Sequence, residues 1–242
     1  MTEFQILRIP ILPFGMVNAH LILGPDGCIL VDTGLPGLES KIEKTLTNHR
    51  LSFKDIILIV VTHAHVDHAG NAALLRELSG APIVAHADDA QHCSRNMPLT
   101  FCPTGWFGRL FLKTPLMFEP YKDFEPDILL SNGDTLDLSP YGISGTVTHT
   151  PGHTAGSLSV VLSTKDALVG DLIASGILIG GLMRTNHAIR PPFEDDPRTV
   201  GLALQHLLDS GIERFYMGHG GPLRAGEVQR HARTLMTMRH SG

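Results

Sequence analysis

The chain has 242 residues, of which 43% are hydrophobic and 18% are charged, a composition typical of folded globular proteins and not of disordered ones. The formal net charge is −5, and no run of Lys and Arg is long enough to follow a phosphate backbone, so no nucleic-acid partner is expected. No segment approaches the roughly 18 apolar residues of a membrane span, so no membrane partner is expected either. We expect one domain over residues 1–242.

The N-terminus and the cysteines give no sign of export. Residues 1–13 lack a basic segment followed by an apolar core and a small-residue cleavage site, so we predict a first strand there and not a signal peptide. Cys28, Cys93 and Cys102 are odd in number and form no C-x-x-C pair, a pattern typical of reduced structural thiols. These features predict a cytoplasmic protein.

Apolar runs rich in Val, Ile and Leu alternate with helical patterns along the chain. Strands are predicted near residues 4–12, 17–24, 28–32, 56–61 and 82–85, and again near 142–149, 158–163, 166–170 and 213–217. Helices are predicted near 37–48, 70–79, 197–209 and 226–239, and Asp196-Pro197 is a suitable start for the third. Because strands and helices interleave in both halves, we expect an α/β fold with two sheets layered between helices.

Two segments do not fit this alternation. The first is an aromatic-rich insertion near residues 88–126, which holds seven of the fourteen aromatic residues: Phe101, Trp106, Phe107, Phe111, Phe118, Tyr121 and Phe124. It is interpreted as a cap over a substrate pocket, as a dimer-forming surface or as an extra element packed on the core. The second, Ser175 to Glu194, is rich in Gly and Pro and is predicted to be a mobile active-site loop. His187 in this loop is a candidate for a substrate contact.

A cluster of potential metal ligands follows the apolar run at residues 56–61. The tract His63-Ala64-His65-Val66-Asp67-His68 places three imidazoles and a carboxylate within six residues. Neutral imidazole and carboxylate are usual ligands for zinc, iron and manganese. Three later strand ends repeat the pattern with His153, Asp171 and His219, each beside glycine. Because glycine allows sharp turns and close approach, the sequence predicts that seven ligands from four strand ends meet at a metal site.

These motifs, in this order, resemble those of the metallo-β-lactamase fold superfamily. The resemblance rests on Val31-Asp32-Thr33-Gly34, the H-x-H-x-D-H tract at 63–68, the T-P-G-H-T motif at 150–154, Asp171, and Gly218-His219-Gly220. It covers most of the chain. It implies a four-layer αβ/βα sandwich with the site at one rim between the sheets.

The resemblance also implies a role for each polar residue of the motifs. It assigns seven side chains to two divalent metal ions: His63, His65 and His153 to the first, Asp67, His68 and His219 to the second, and Asp171 to both. Asp32 is implied to stand behind the ligands, where a carboxylate can fix the orientation and tautomer of a histidine. Zinc is the preferred metal, and manganese or iron is compatible with the same donors.

The implied chemistry is hydrolysis by a hydroxide held between two metal ions about 3.5–4 Å apart. Asp67 is the expected catalytic residue, because it would both bind metal and align the hydroxide. With Asp171 at the bridging position, the chain resembles the glyoxalase II, lactonase and phosphodiesterase-like branches, since the β-lactam-hydrolysing enzymes generally have Cys or Ser there. Only about twenty residues follow His219, so the glutathione-binding region of glyoxalase II is not expected.

The predicted function is a metal-dependent hydrolase of a carboxylic ester, thioester or lactone. The aromatic insertion and the apolar residues 177–182 favour a hydrophobic or acyl-bearing small molecule as substrate, and a homodimer is a further expectation. A mononuclear iron enzyme similar to persulfide dioxygenases is an alternative, as is a β-lactamase or a phosphodiesterase of the same fold. A non-catalytic scaffold is disfavoured, because no ligand position is lost.

Overall fold

The first half of the chain builds a six-stranded sheet. A computed structural model, which describes residues 4–94, 101–114, 120–177, 180 and 183–238, arranges these strands side by side in chain order. They are β1 (Gln5–Pro10), β2 (Asn18–Leu23), β3 (Cys28–Val31), β4 (Ile56–Val60), β5 (Ile83–His86) and β6 (Ile128–Leu130). The β1–β2 and β2–β3 pairs are antiparallel, and the pairs from β3 to β6 are parallel. The helices of this half are α1 (Ser40–Asn48), α2 (Val66–Ala69), α3 (Ala72–Ser79), α4 (Ala87–Cys93) and α5 (Gly105–Phe111).

The second half builds another six-stranded sheet and two long helices. Its strands are β7 (Thr135–Asp137), β8 (Gly145–His149), β9 (Leu158–Leu162), β10 (Asp166–Leu168), β13 (Arg214–Tyr216) and β14 (Leu223–Arg224). The spatial order is β14-β13-β10-β9-β8-β7, with only the β10–β13 pair parallel. Two short strands, β11 (Ala174–Ser175) and β12 (Ala188–Ile189), form a separate hairpin, and the helices are α6 (Pro197–Asp209) and α7 (Ala225–Met236).

Side-chain alternation explains how the two sheets are buried on both faces. Neighbouring residues on a strand point to opposite faces, so Leu30 belongs to the apolar cluster that includes Ile42 of α1. Ile29 belongs to the cluster between the sheets, together with Val160 of β9. On the far side, Phe215 of β13 is buried with residues of α6 and α7. The order helix, sheet, sheet, helix confirms the predicted four-layer αβ/βα sandwich.

All the predicted elements are present, and every element that was missed is short. Each of the nine predicted strands and four predicted helices overlaps an observed one. The third helix begins at Pro197 as predicted, and the Asp196 carboxylate accepts a hydrogen bond from the Arg198 amide (2.9 Å). The missed strands β6, β7, β11, β12 and β14 have two or three residues each. The alternation of apolar and polar residues that indicates a strand cannot be recognised over so few positions. The missed helices α2, α4 and α5 have seven residues or fewer.

The aromatic-rich insertion is divided between the core and the surface. Tyr121 and Phe124 are buried in the same cluster as Cys93 of α4, so the core-packing interpretation holds for these two residues. Trp106 on α5 is 75% exposed. The side chains of Phe107, Phe111 and Phe118 lie outside the described part of the structure.

The Gly-rich segment begins in β11 and contains β12, and Ser175 of the first strand pairs with Ala188 of the second. His187 precedes β12 and lies 3.0 Å from the carboxylate of Glu227 on α7. Residues 178–179 and 181–182 lie outside the described residues, and the mobility of this loop stays a prediction. All three cysteines are free, with Cys28 and Cys93 buried. No helix in the described ranges has the length and apolar character needed to cross a membrane.

Candidate metal centre

The ends of four strands meet at one rim between the two sheets. The polar side chains that follow β4, β8, β10 and β13 are, in that order, those of His63, His153, Asp171 and His219. Two backbone hydrogen bonds join the sheets at this rim: the Leu158 amide donates to the Thr62 carbonyl (2.8 Å), and the Asn18 amide donates to the Gly218 carbonyl (2.8 Å). The rim therefore brings ligand-bearing loops from both halves of the chain together.

Three histidines form the first group, which we call the imidazole triad: His63, His65 and His153. Their facing nitrogens lie 3.1 Å (His63 Nε2 to His65 Nδ1), 3.1 Å (His63 Nε2 to His153 Nε2) and 3.3 Å (His65 Nδ1 to His153 Nε2) apart. A tetrahedral zinc ion with Zn–N bonds of about 2.0–2.1 Å would hold its nitrogens about 3.3–3.4 Å apart. The triad thus has the shape of one face of a tetrahedral site.

Hydrogen bonding behind the triad indicates which nitrogen of His63 carries the lone pair. The Thr62 hydroxyl donates to the Asp32 carboxylate (2.9 Å). Its oxygen therefore accepts from His63 Nδ1–H, which lies 3.1 Å away. With the proton on Nδ1, the Nε2 of His63 presents its lone pair to the other two imidazoles, as a metal ligand must.

Burial keeps the triad uncharged. Desolvation lowers the pKa of His153 to about 3 and that of His65 to about 4. Desolvation, together with the neighbouring histidines, lowers the pKa of His63 well below its ordinary value. Because all three imidazoles are neutral near pH 7, their lone pairs are available without loss of a proton.

The second group, which we call the carboxylate group, contains Asp67, His68, Asp171 and His219. His219 Nε2 lies 2.9 Å from Asp171 Oδ2 and 3.3 Å from Asp67 Oδ2. His68 Nε2 lies 3.4 Å from Asp171 Oδ1 and 3.7 Å from Asp67 Oδ2. Asp171 also reaches the triad, since its Oδ2 is 3.9 Å from His153 Nε2. Asp171 is thus placed between the two groups.

The carboxylate group carries charge of both signs. Burial opposes protonation of His219, but Asp171 and Asp67 raise its pKa to about 10. Burial likewise opposes protonation of His68, whose pKa the carboxylates, led by Asp171, raise well above its ordinary value. Burial would raise the pKa of Asp171, but His219 and His68 hold it well below its ordinary value. Protons on the two imidazoles thus balance the carboxylates.

Asp32 supports the carboxylate group from behind, at the position the resemblance implies. It has a positive φ of 62°, a conformation that Asp adopts more readily than most residues. Its carboxylate accepts hydrogen bonds from the Thr62 amide (2.8 Å) and from His68 Nδ1 (2.8 Å). The second bond holds a proton on Nδ1. When His68 loses its other proton, Nε2, which faces Asp171, therefore presents the lone pair.

Two buried atoms in the carboxylate group have no hydrogen-bond partner among the described residues: His68 Nε2 and Asp171 Oδ1. Unpaired buried polar atoms are rare and usually indicate a function or a bound ion. A Cβ at Gly218 would lie 2.3 Å from His68 Cε1 and 2.4 Å from Asp171 Oδ1, so only glycine fits there. The donor set, the triad geometry and these orphaned atoms all fit divalent metal ions.

Aromatic rings form one wall beside the triad. The Phe101 ring lies 5.0 Å from that of His65, and the Phe193 ring lies 6.4 Å from it. Tyr121 adds a hydroxyl that donates to the Ala64 carbonyl (3.1 Å). Phe101 and Tyr121 were part of the predicted insertion, whereas Phe193 was not singled out, since a single Phe near the end of a Gly- and Pro-rich segment carries no pattern.

Another set of potential ligands, His86, Asp88 and His149, is poorly suited to metal. The rings of His86 and His149 are stacked, with centroids 3.8 Å apart and planes only 12° apart. Lone pairs lie in the ring planes, so two parallel rings direct them side by side and not toward one ion. His149 Nε2 also donates to the Ala155 carbonyl (2.8 Å). This pair is therefore packing and not a ligand set.

Comparison with known proteins finds similarity along most of the chain. The chain is 27% identical over 203 residues to the probable metallo-hydrolase MJ0888 of Methanocaldococcus jannaschii, a match that covers 84% of this chain and 87% of that protein. It is also 27% identical over 223 residues to MBLAC2 of Homo sapiens, named as an acyl-coenzyme A thioesterase, with 84% of this chain and 72% of that protein covered.

A solved structure has the same architecture. The metallo-beta-lactamase family protein TTHA1429 of Thermus thermophilus superposes with a TM-score of 0.68 at 26% identity, covering 96% of this chain and 78% of that one. The family profile of the metallo-beta-lactamase superfamily matches residues 12–219, a range that contains Asp32 and every residue of the two groups. The chain belongs to the metallo-beta-lactamase superfamily.

Proposed function

We propose that this protein is a dinuclear metal-dependent hydrolase that cleaves a thioester, ester or lactone of a small molecule with an apolar acyl group. The observation that carries the proposal is the position of Asp171, which lies within 4 Å of ligand atoms in both groups. The aromatic wall at Phe101 and Phe193 supports the apolar substrate. The similarity to an acyl-coenzyme A thioesterase supports a thioester as the first substrate to test.

The proposed metal ligands are the residues of the imidazole triad and of the carboxylate group. The imidazole triad would hold one divalent ion, Asp67, His68 and His219 would hold the other, and Asp171 would contact both, with zinc preferred. When bound, two such ions supply a water of lowered pKa and polarise the carbonyl that is attacked. His68 and His219 would have to give up their protons to serve as ligands, because only the neutral imidazole has a free lone pair.

Asp67 is the proposed catalytic residue. Its side chain is 19% exposed, compared with 4% for Asp171 and His219, so it faces the opening of the site. Burial would raise the pKa of Asp67, but His68 and His219 hold it well below its ordinary value, and the carboxylate is therefore ionised at neutral pH. An ionised carboxylate at the opening can accept a hydrogen bond from the attacking water and pass a proton to the leaving group.

Substrate screening tests the reaction class. Zinc- and manganese-loaded protein would be assayed with acyl-coenzyme A thioesters of increasing chain length, with lactones, with aryl esters and with an aryl phosphodiester. We expect turnover of acyl compounds, with thioesters preferred. Cleavage of the phosphodiester alone, or one iron per chain together with oxygen consumption, would overturn the proposal.

The substitution Phe193→Ala tests the acyl side of the proposal. Losing one aromatic face of the wall should lower kcat/KM about 10-fold or more for a long-chain thioester, because one buried apolar contact is worth about 1–3 kcal/mol. An acetyl thioester should change much less. Leu202→Ala is the matched control, since Leu202 is an exposed apolar residue on α6. Equal losses for short and long chains would place the acyl group elsewhere.

A further inference from the structure

We propose that Asp89, which lies outside the seven candidate ligands, is a positioning residue for the imidazole triad. The inference rests on the proposed metal site. Asp89 is only 3% exposed and lies in the first turn of α4, immediately after β5. It thus follows a strand end, as the ligands do, but on a strand that supplies no ligand.

The carboxylate of Asp89 joins the two loops that carry the triad. Its Oδ2 accepts a hydrogen bond from the Ala64 amide (2.9 Å), and Ala64 lies between His63 and His65. The same oxygen accepts from the Thr154 hydroxyl (3.1 Å), directly after His153. Oδ1 accepts from the Gly156 amide (3.0 Å).

Only glycine leaves enough space at position 156 for this contact. A Cβ at this position would lie 2.5 Å from Asp89 Oδ1 and 2.8 Å from the Asp89 backbone nitrogen. Gly156 is not among the residues with a positive φ, so glycine is needed here for space and not for backbone conformation. The loop after His153 is therefore built to approach the Asp89 carboxylate closely.

The consequence for the triad follows from its chemistry. In the tautomers that bind an ion, all three facing nitrogens carry lone pairs and none can donate a hydrogen bond to another, so until the ion arrives nothing between the rings holds these nitrogens at 3.1–3.3 Å. The spacing must be imposed from outside, and Asp89 does so by bonding to the backbone on both sides. Groups that orient metal ligands from behind typically change metal affinity about 10- to 100-fold when lost.

The substitution Asp89→Asn tests this role. Asn has the same shape, but its NH2 group would face at least one of the donors of Ala64, Thr154 and Gly156. Asp88→Asn is the matched control, because Asp88 is the neighbouring acid on α4 and its side chain is 48% exposed. Binding of Zn²⁺ would be measured by competition with a chromophoric chelator, and the ligand geometry by the visible spectrum of the Co²⁺ form.

Single-site backgrounds assign the effect to one group. In a His219→Ala background, Asp89→Asn should weaken Zn²⁺ binding at the triad about 10- to 100-fold and alter the Co²⁺ spectrum. In a His65→Ala background, which disables the triad, it should leave the affinity of the carboxylate group unchanged. The proposal would be overturned if Asp89→Asn left the Zn²⁺ affinity of the His219→Ala protein unchanged. It would also be overturned if Asp89→Asn weakened Zn²⁺ binding equally in the His219→Ala and His65→Ala proteins.

Two further measurements keep the test decisive. If Asp89→Asn does not fold, Thr154→Val removes no charge but removes the bonds of the hydroxyl to Asp89 (3.1 Å) and to Ser157 (2.9 Å), and should weaken binding at the triad about 2- to 10-fold, as expected for the loss of one or two hydrogen bonds. No change in Thr154→Val would contradict the role of Asp89. Failure of the unsubstituted protein to bind any Zn²⁺ would overturn the proposed function itself, whereas normal binding by every variant would overturn only the role of Asp89.

Discussion

The imidazole triad and the carboxylate group lie at the same rim but differ in charge. The triad consists of buried neutral histidines with pKa values lowered to about 3 and 4 at His153 and His65. In the carboxylate group, Asp171 and Asp67 raise the pKa of His219 to about 10 despite its burial. One rim can therefore hold two kinds of site: one whose imidazoles are already neutral and can bind metal directly, and one whose imidazoles must first lose protons.

The two groups are also supported differently. Asp32 bonds directly to a side chain of the carboxylate group, His68. Asp89 bonds instead to backbone and hydroxyl groups next to the triad, Ala64 and Thr154 among them. Both carboxylates come at or just after the end of a strand of the first sheet, so each group is oriented from the same half of the chain.

The substitution Asp171→Asn should have the largest effect, because it removes the residue that both groups share. We expect kcat/KM to fall by more than about 1,000-fold, beyond the 100- to 1,000-fold typical of losing one electrostatic contact in a catalytic site. Metal content and turnover of an acyl thioester would be measured together. Asp137→Asn, at an exposed acid on β7, is the control, and retained activity in Asp171→Asn would remove the basis for a shared ligand.

The free energies of unfolding of two variants, measured without metal, test whether the two groups differ in charge. His219→Asn removes one of the two cationic partners of Asp171 and Asp67 and leaves only His68, and breaking a buried ion pair costs about 3–5 kcal/mol. His65→Asn removes a neutral side chain and should cost roughly 3 kcal/mol less in the free energy of unfolding. Urea unfolding of chelator-treated protein at pH 7 measures both, and equal losses would mean that the groups do not differ in charge.

The substitution Asp32→Asn should weaken the carboxylate group more than the triad, because Asp32 bonds directly to His68 and reaches His63 only through Thr62. We expect about a 10- to 100-fold loss of affinity for the ion at that group, because His68 loses the acceptor that fixes its tautomer. A Zn²⁺ titration in a His65→Ala background isolates this ion. A matching loss at the triad in a His219→Ala background would show that Asp32 supports both groups through Thr62.

The pH dependence of the metal-free protein should have two limbs, one from each group. His219 has a folded pKa of about 10 against an ordinary 6.5, so its stabilisation is complete below pH 6.5 and is lost as the pH rises toward 10. His65 and His153 have folded pKa values of about 4 and 3, so stability falls as the pH drops from 6.5 toward these values. Each such group contributes a slope of at most about 1.4 kcal/mol per pH unit.

Unfolding free energies measured from pH 4 to 10 would test this dependence. His219→Asn should flatten the alkaline limb and His65→Asn the acid limb, each without changing the other. A single limb that neither substitution changes would contradict the charge difference between the groups.

Much of the candidate site could be predicted from the sequence, because the information is local. An apolar run predicts a buried strand, and polar residues directly after it, as at His63 and His219, must lie at a sheet edge. The start of α6 is equally local, since Asp196 caps a helix whose first residue is Pro197. The assignment of individual ligands came from the family resemblance and remains a prediction.

Features that depend on residues far apart in the chain could be seen only in the folded structure. Phe193 reaches His65, and Asp89 reaches Gly156, across more than sixty residues. The spacing of the triad, the charge of His219 and the stacking of His149 on His86 depend in the same way on what lies opposite. Local pattern determined which side chains could bind metal, whereas packing between the two sheets determined their protonation, their orientation and the apolar wall beside them.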